Sequence, residues 1–213
     1  MQVETYCGGA AATNGYLLLQ SRMALIVDAP DGMTNWVASQ CQKENSNMVG
    51  LLLTHGHWDH IVDARAIQQQ FRVPIWIHQD SAPLLEHPAV QSAFNPFYHL
   101  ESCKADRILT SEEQTKLSVF EFGLLLCPGH CPGSLCFHFP AEKMLFGGDV
   151  LFAGGVGRWD LPGGSKTALL RAIKTKILVL PEDTCVFPGH GPLTTVGKER
   201  RTNPYLSPLF DDR

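Results

Sequence analysis

Short apolar runs alternate with amphipathic segments along most of the chain, and this alternation predicts a mixed α/β fold. Strands are indicated by continuous or alternating apolar residues bounded by turn residues, and helices by a 3.6-residue apolar period. The elements predicted in the first half are the strand pair Tyr16–Gln20 and Ala24–Asp28, the helix Thr34–Lys43, the buried strand Met48–Leu53, the helix Ile61–Phe71 and the strand Val73–Ile77.

The second half of the chain predicts shorter strands joined by hairpin-like connections. Its predicted elements are the strands Lys116–Phe122, Gly123–Cys127, Leu135–Phe139 and Lys143–Phe146, the helix Lys166–Ile177 with Ser165 as its cap, and the strand Cys185–Phe187. Residues 80–103 have weak periodicity and three prolines, so we expect a surface excursion that lines a pocket. The glycine-rich stretch Gly147–Ser165 is typical of a loop that shapes a site.

Composition and charge narrow the class of protein. The chain has 213 residues, 44% of them apolar, so we expect one globular domain over residues 1–213. The net charge of −4 and the lack of a long basic run argue against nucleic acid or an anionic membrane as a partner. Neither a membrane span nor a signal peptide is indicated, and seven cysteines argue against a disulfide framework, so we expect a cytoplasmic protein.

The strongest chemical signal is a cluster of ligand-type residues directly after the buried strand Met48–Leu53. The sequence there is THGHWDH, which contains His55, His57, Asp59 and His60. Imidazole nitrogen and carboxylate oxygen are ligands that zinc and similar metals prefer. Since residues two apart in an extended segment project to one side, His55 and His57 are placed to hold one ion. Asp59 and His60 leave in another direction and are placed to hold a second.

Three more ligand-type residues follow later strands in turns rich in proline and glycine. They are His130, Asp149 and His190. As alternatives, Asp149 fits a cap of the following turn, and Asp59 fits a cap of the helix near Ile61. The remaining histidines (His78, His87, His99 and His138) are interpreted as structural. Arg158 has two interpretations: an ion pair with Asp160, or a residue that orients a carboxylate of the substrate.

These motifs, in this order, resemble the metallo-β-lactamase superfamily over nearly the whole chain. Within it, LFAGGVGRWDLPGGS and FPGHGPLTTVGKERRTNP are similar to the short, single-domain glyoxalase II type of hydrolase, also called hydroxyacylglutathione hydrolase. The resemblance implies a four-layer αβ/βα sandwich with a metal site at one edge. It also implies a division of the ligands: His55, His57 and His130 on the first ion, Asp59, His60 and His190 on the second, and Asp149 bridging both.

The function implied by this resemblance is hydrolysis of a small-molecule thioester such as S-lactoylglutathione. Two divalent ions, zinc first and iron or manganese as alternatives, would share a bridging hydroxide that attacks the carbonyl. Asp59 is expected to orient the bridging water or to accept its proton. Longer relatives bind glutathione with a carboxyl-terminal helical domain. Because only about 20 residues follow His190, we expect this chain to lack that domain, which leaves another thioester or a small ester as alternatives.

Other activities of the same superfamily stay open as alternatives. A mononuclear iron persulfide dioxygenase and a hydrolase of another small ester or thioester fit the ligand set, and a non-catalytic metal-binding scaffold is a further alternative from a different class. The resemblance disfavours β-lactam hydrolysis, because lactamases with cysteine in the second site differ from this chain at His60.

Overall fold

The structure is a computed structural model, and it describes residues 1–94, 98 and 100–207. The chain divides into two compact units, the first comprising residues 1–110 and 116–121, and the second comprising residues 111–115 and the chain from 122 onward. The expectation of one domain over residues 1–213 stays a prediction. Parts of the predicted excursion at 80–103, including His99, lie outside the described residues.

The first unit contains a six-stranded sheet whose strands pair in the order of the chain. These strands are β1 (Gln2–Gly8), β2 (Thr13–Gln20), β3 (Met23–Val27), β4 (Asn47–Leu52), β5 (Ile75–His78) and β6 (Arg107–Leu109). Strand β2 runs antiparallel to both of its neighbours, β1 and β3, whereas β3, β4, β5 and β6 run parallel. Parallel strands place their carboxyl ends at the same edge of the sheet, which is where ligands bind in open α/β sheets.

The predicted strand pair Tyr16–Gln20 and Ala24–Asp28 is confirmed, and it corresponds to β2 and β3. Tyr16 pairs with Val27 and Gln20 with Met23 across an antiparallel ladder. Its two turn residues, Ser21 and Arg22, have φ values of 50° and 62°. Two consecutive left-handed residues form the kind of tight turn whose twist matches the twist of the flanking strands.

Helices of the first unit pack their apolar faces into one core. They are α1 (Met33–Lys43), α2 (Trp58–Ile61), α3 (Ala64–Phe71), α4 (Ala82–Glu86) and a short 3₁₀ helix (Pro88–Gln91). Val37 and Ile67 are fully buried in that core together with Ile26 of β3 and Leu51 of β4. Burial against the sheet therefore explains the 3.6-residue apolar period of α1 and α3.

The predicted helix Ile61–Phe71 is wrong in its form, because two helices occupy this region. The backbone N–H of Asp63 donates to Ala29 O at 3.0 Å, and its carboxylate accepts hydrogen bonds from the N–H and hydroxyl of Thr34 at 2.7 Å. Because these bonds tie Asp63 to Ala29, which precedes α1, and to Thr34 of α1, Asp63 keeps a non-helical conformation between α2 and α3. Asp59 lies inside the first turn of α2, so the alternative of Asp59 as a helix cap is also wrong.

Residues 80–103 are not simply a surface excursion. Leu85 of α4 is 1% exposed and Cys103 is 3% exposed, and both belong to the core of the first unit. Val90 and Phe94 in the same segment are exposed. Pro83 lies in the first turn of α4 and Pro88 begins the 3₁₀ helix, and α4 anchors this part of the segment in the core.

The second sheet has the strand order β14-β13-β10-β9-β8-β7. Its strands are β7 (Gln114–Leu117), β8 (Phe120–Leu126), β9 (Leu135–Phe139), β10 (Met144–Gly148), β13 (Cys185–Pro188) and β14 (Thr194–Thr195). The predicted boundary between Phe122 and Gly123 is wrong, because the turn lies at Ser118, which has a φ of 56°. Apolar residues on both sides of Ser118 hid this turn in the sequence pattern.

The second unit adds a small hairpin and two helices. These are β11 (Leu151–Phe152), β12 (Gly155–Val156), α5 (Lys166–Ala172), which continues as a π-helical turn (Ile173–Ile177), and α6 (Val196–Thr202). The predicted cap is confirmed, since Ser165 Oγ accepts from the N–H of Ala168 at 3.3 Å. Strands β1, β6 and β14 and helix α6 have no counterpart among the sequence predictions. No helix of the described residues is long and apolar enough to cross a membrane.

Truncation of Ile67 should destabilise the fold far more than truncation of a neighbouring exposed residue. Ile67 is fully buried on α3, and a buried isoleucine replaced by alanine costs about 2–5 kcal/mol of unfolding free energy. The exposed Gln70 on the same helix gives the control, and Gln70→Ala should change stability by less than about 0.5 kcal/mol. Urea denaturation measures both, and equal effects would contradict the packing described for α3.

Candidate metal centre

Four of the seven predicted ligands come together in the first unit, in the loop after β4 and the first turns of α2. His55 and His60 are buried, with exposures of 1% and 0%. The ring centroid of His55 lies 4.7 Å from that of His57 and 4.2 Å from that of His60. Candidate ligand atoms in the pairs His55–His57, His55–His60 and Asp59–His60 lie within 4.8 Å of one another.

This first cluster is organised by the carboxylate of Asp28, at the end of β3. Asp28 is 1% exposed, and its Oδ1 accepts from the backbone N–H of Thr54 at 2.8 Å. Its Oδ2 lies 2.8 Å from Thr54 Oγ1 and 2.8 Å from His60 Nδ1. A buried carboxylate is stable only when hydrogen bonds replace its hydration, and here they come from the residues that begin and end the cluster. Asp28 therefore ties both sides of the ligand loop to one point.

The same hydrogen bonds decide which nitrogen of each histidine faces the cluster. Because Asp28 is an acceptor, His60 must carry its proton on Nδ1, which leaves Nε2 as its ligand atom. Thr54 gives its hydroxyl proton to Asp28, so it accepts from His55 Nδ1 at 3.1 Å. His55 thereby also presents Nε2. Such outer hydrogen bonds are typical of histidines that bind metal.

Asp59 is oriented by a threonine at the start of β2. Thr13 Oγ1 donates to Asp59 Oδ2 at 2.7 Å, and Thr13 is fully buried. The same oxygen of Asp59 lies 3.5 Å from His60 Nε2. A carboxylate and an imidazole nitrogen are thus held side by side within one unit, as two ligands of one ion require.

The ligand loop is also clamped by Gln91 of the 3₁₀ helix. Gln91 is 4% exposed, its Oε1 accepts from the N–H of Trp58 at 2.9 Å, and its Nε2 donates to Gly56 O at 2.9 Å. A Cβ on Gly56 would lie 2.6 Å from Ser81 O, so only glycine allows this close approach. Gln91 and Ser81 therefore support the backbone between the candidate ligands His55 and Asp59.

The other three predicted ligands come together in the second unit. Asp149 follows β10 and His190 follows β13, and these two strands are parallel neighbours. Asp149 Oδ2 lies 3.4 Å from His190 Nε2 and 3.5 Å from His130 Nε2. One carboxylate oxygen is thus flanked by two imidazole nitrogens. This geometry explains why one ligand-type residue ends each of these strands.

His130 is fixed by the glycine-rich loop that follows Asp149. Its Nδ1 lies 2.8 Å from Arg158 O, and since a carbonyl only accepts, Nδ1 carries the proton and Nε2 is the ligand atom. The turn before it passes so close to α5 that a Cβ on Gly129 would collide with the backbone of Leu169. Gly129 also has a φ of 133°, which favours glycine.

The donor atoms of both clusters fit a divalent metal ion. Two ligands of a tetrahedral zinc ion, each about 2.0–2.1 Å from it, lie about 3.3 Å apart. The nitrogen–oxygen separations within the clusters are 3.4–3.5 Å, longer than an ordinary hydrogen bond. With the proton on Nδ1, the Nε2 lone pairs of His60 and His130 each face a carboxylate oxygen. Such a nitrogen and oxygen repel each other, whereas a metal ion bound between them attracts both.

The structure distinguishes the remaining sequence interpretations. Arg158 pairs with Asp160, with Nε to Oδ1 and Nη2 to Oδ2 both at 2.8 Å, and both side chains are exposed. The pair lowers the pKa of Asp160 to about 2, mainly through the hydrogen bond from Arg158. The structural interpretation of His78 is supported, because its buried ring accepts from the N–H of Asp80 at 3.2 Å. Cys131 is 1% exposed.

Sequence reasoning missed the residues that position the ligands, above all Asp28, Thr13 and Gln91. Asp28 carries a detectable signal, since it is a polar residue that ends an apolar strand, the same pattern that identified Asp149. Thr13 and Gln91 carry none, because they act through hydrogen bonds to residues far along the chain.

The chain is similar to known proteins both in sequence and in fold. Residues 16–190 match the family model described as the metallo-beta-lactamase superfamily. The Haemophilus influenzae protein named hydroxyacylglutathione hydrolase GloC is 38% identical over 86% of this chain and 87% of its own. A crystal structure of BLEG-1 B3 metallo-beta-lactamase matches at 38% identity with a TM-score of 0.92, over 97% of this chain and all of that one. A structure of TTHA1623 in a di-iron-bound form matches at 33% identity and a TM-score of 0.85, over 95% of this chain and all of that one. These matches confirm the predicted fold class.

Replacement of Asp28 by asparagine should weaken zinc binding about 10- to 100-fold, the usual effect of removing an outer partner of a histidine ligand. Asparagine offers one acceptor oxygen where aspartate offers two, so its amide cannot accept from both Thr54 N–H and His60 Nδ1, and the His60 ring is held less firmly. Competition with a chromophoric zinc chelator measures the affinity.

Asp63→Asn is the matched control, because Asp63 also accepts from the N–H and hydroxyl of a threonine, but that threonine is Thr34 of α1 and not part of the ligand loop. Its zinc affinity should stay within twofold of the parent. Equal losses in both variants would contradict the role given to Asp28.

His78 should make the fold less stable in mild acid. Burial lowers the pKa of His78 from its ordinary value of 6.5, and the nearby Asp80 only partly opposes this shift. The unfolded chain therefore binds the proton more readily, so the stabilisation is complete above about pH 6.5 and is lost as the pH falls through the lowered folded pKa.

Urea unfolding at pH 7.5 and pH 5.5 tests this dependence. His78→Gln should lose less stability than the parent between these two values, and variant His87→Gln, at an exposed position, should behave like the parent. A parent and a His78→Gln variant with the same pH dependence would refute the assignment.

Proposed function

Because the chain belongs to the metallo-β-lactamase superfamily, we propose that it is a dinuclear metal-dependent hydrolase of a small-molecule thioester, of which S-lactoylglutathione is the first candidate. The observation that carries the proposal is the orientation of the candidate ligand atoms. In each unit, a hydrogen bond donated by a histidine Nδ1 turns the Nε2 atom of that ring towards a carboxylate oxygen. Structural histidines do not require such an arrangement, whereas metal ligands do.

The proposal includes the ligand set that the family resemblance implies. The seven residues are His55, His57, Asp59, His60, His130, Asp149 and His190. Zinc is the first candidate for both ions because nitrogen and oxygen donors suit it, and iron and manganese accept the same donors. Support for two ions comes from the related structure of TTHA1623 in a di-iron-bound form.

Divalent ions in such a site lower the pKa of bound water towards about 7 and polarise a carbonyl oxygen. The residues of the chain supply orientation and proton transfer. The Asp59 carboxylate, held by the hydroxyl of Thr13, is placed to accept a proton at its other oxygen, Oδ1. The Asp28 carboxylate keeps the proton of His60 on Nδ1 and thus keeps Nε2 available as a ligand.

A thioester is favoured as the substrate class for a chemical reason and for a comparative one. Thiolate leaves without a strong general acid, and no such acid is part of either cluster. GloC, which is named as a hydroxyacylglutathione hydrolase, aligns over 87% of its own length with 86% of this chain. A relative of similar length with that name weakens the argument that a short chain cannot recognise glutathione. We also propose a cytoplasmic location, with no nucleic acid or membrane partner.

Hydrolysis of S-lactoylglutathione by the zinc-loaded protein, with metal content measured on the same preparation, tests this function. We expect about two metal ions per chain and turnover that falls at least 100-fold in His57→Ala. The variant His87→Ala, at an exposed histidine outside the clusters, should retain the parental activity.

The assay separates the alternatives when nitrocefin hydrolysis and oxygen uptake with glutathione persulfide are measured in parallel. Efficient nitrocefin hydrolysis without thioester turnover would transfer the function to β-lactams, the class in the name of the related BLEG-1 structure. Oxygen uptake with one iron per chain would identify a dioxygenase. A metal-loaded protein without any of these activities would overturn the proposed hydrolase.

A further inference from the structure

The first unit contains a polar cleft that none of the seven proposed ligands lines. Its volume is about 460 Å³, within the usual range of pockets that bind small molecules. Its walls come from α3 and from the segments that precede β5 and β6, and they include Arg65, Gln68, Gln69, Arg72, Pro74 and Asp106. The cleft therefore lies at the amino ends of β5 and β6, whereas the ligand loop follows the carboxyl end of their parallel neighbour β4.

Hydrogen bonds join the walls of this cleft. Gln68 of α3 donates through Nε2 to Lys104 O and to Asp106 Oδ2, both at 3.0 Å. The same oxygen of Asp106 accepts from the backbone N–H of Ile75 at 2.9 Å, and the N–H of Asp106 donates to Ile75 O at 2.9 Å. The helix and the starts of both strands are thus connected through Asp106, so the cleft is built into the fold.

The guanidinium of Arg65 is held by neutral groups. Its Nη1 donates to Gln68 Oε1 at 3.3 Å. In the amide orientation that satisfies both of its polar atoms, Gln69 accepts from Arg65 Nε and Nη2, both at 3.1 Å. A guanidinium has five N–H donors, so two remain for a ligand. Because the acceptors carry no charge, they fix the orientation of Arg65 without neutralising it.

Arg72 brings a second positive charge to the same cleft. It follows the last residue of α3 with a φ of 53°, in the left-handed region where glycine or asparagine is the usual residue. Arg65 and Arg72 are seven positions apart, about two helical turns, so they belong to one side of α3. Within residues 1–94, 98 and 100–207, neither arginine forms an ion pair with a carboxylate.

The charges of the cleft favour a phosphate group. Two guanidiniums and the Asp106 carboxylate leave a net charge of about +1. A phosphate monoester carries nearly two negative charges at pH 7 and has three acceptor oxygens, so it can accept from both guanidiniums at once. A carboxylate has one charge and is satisfied by a single fork-shaped guanidinium. Phosphate therefore matches the pair of arginines better than a carboxylate does.

We propose that this cleft binds the phosphate group of a small organic phosphate. Arg65 and Arg72 make the cationic contacts, and the organic part of the molecule packs against Pro74. The proposal goes beyond the proposed function and does not depend on it, because no lining residue of the cleft is a proposed metal ligand. The bound molecule is thus a second ligand of the first unit and not the thioester.

Calorimetry on the metal-loaded protein tests this site with AMP as the probe. Adenosine is the uncharged control, and inorganic phosphate distinguishes an organic phosphate from the free anion. The parent should bind AMP at least about tenfold more tightly than either compound. Arg65→Gln and Arg72→Gln should each weaken AMP binding about fivefold or more and leave adenosine binding unchanged. Because Arg72 is exposed, Arg72→Gln keeps the test valid if Arg65→Gln loses its fold.

Asp106→Asn tests the direction of the electrostatic effect. The asparagine oxygen has two lone pairs, so it can still accept from both Ile75 N–H and Gln68 while the negative charge is removed. AMP should therefore bind severalfold more tightly to this variant, with no change for adenosine. Lys43→Gln is the control, since it removes an exposed cation that pairs with Glu44 in the same unit, and it should bind AMP like the parent.

Four results would each overturn the proposal. They are equal binding of AMP and adenosine by the parent, equal binding of AMP and inorganic phosphate, weaker AMP binding by Asp106→Asn, and the same loss in Lys43→Gln as in Arg72→Gln. Phosphate bound at a metal centre does not contact the arginines of the cleft, so unchanged AMP affinity in the double variant Arg65→Gln/Arg72→Gln would place AMP there and also refute the cleft. Thermal melting of each variant separates these results from misfolding.

Discussion

The buried carboxylate of Asp28 is the interaction on which the first cluster depends. An isolated buried charge is unstable, and the hydrogen bonds from Thr54 and His60 offset that cost. The same bonds fix the protonation of two histidines, because Asp28 accepts from His60 directly and from His55 through the hydroxyl of Thr54. Stability and ligand orientation therefore arise from one network. The position of Asp28 at the end of β3 follows from the pairing of β3 with β4.

In the second unit a backbone carbonyl orients His130, where a carboxylate orients His60 in the first. The parallel pair β10 and β13 brings Asp149 and His190 to one edge of the sheet, and the carbonyl of Arg158 takes the role of outer partner for His130. The glycine-rich loop thus has two tasks. Its backbone fixes the candidate ligand His130, while the side chains of Arg158 and Trp159 line a groove.

The sequence reveals the candidate ligands but not the residues that position them, for a physical reason. A ligand that ends an apolar strand is visible locally, so the residues His55 to His60, His130, Asp149 and His190 could be identified from strand and turn patterns alone. A support such as Gln91 is an ordinary polar residue until the fold brings it to Gly56 and Trp58. The same limit explains the error at residues 80–103, because burial of Leu85 and Cys103 depends on neighbours distant in sequence.

Anomalous diffraction from crystals grown with zinc and collected on both sides of the zinc absorption edge tests the central claim most directly. The account predicts two anomalous peaks per chain, coordinated between them by His55, His57, Asp59, His60, His130, Asp149 and His190. A single peak, peaks at other side chains, or no peak at these seven residues would contradict it.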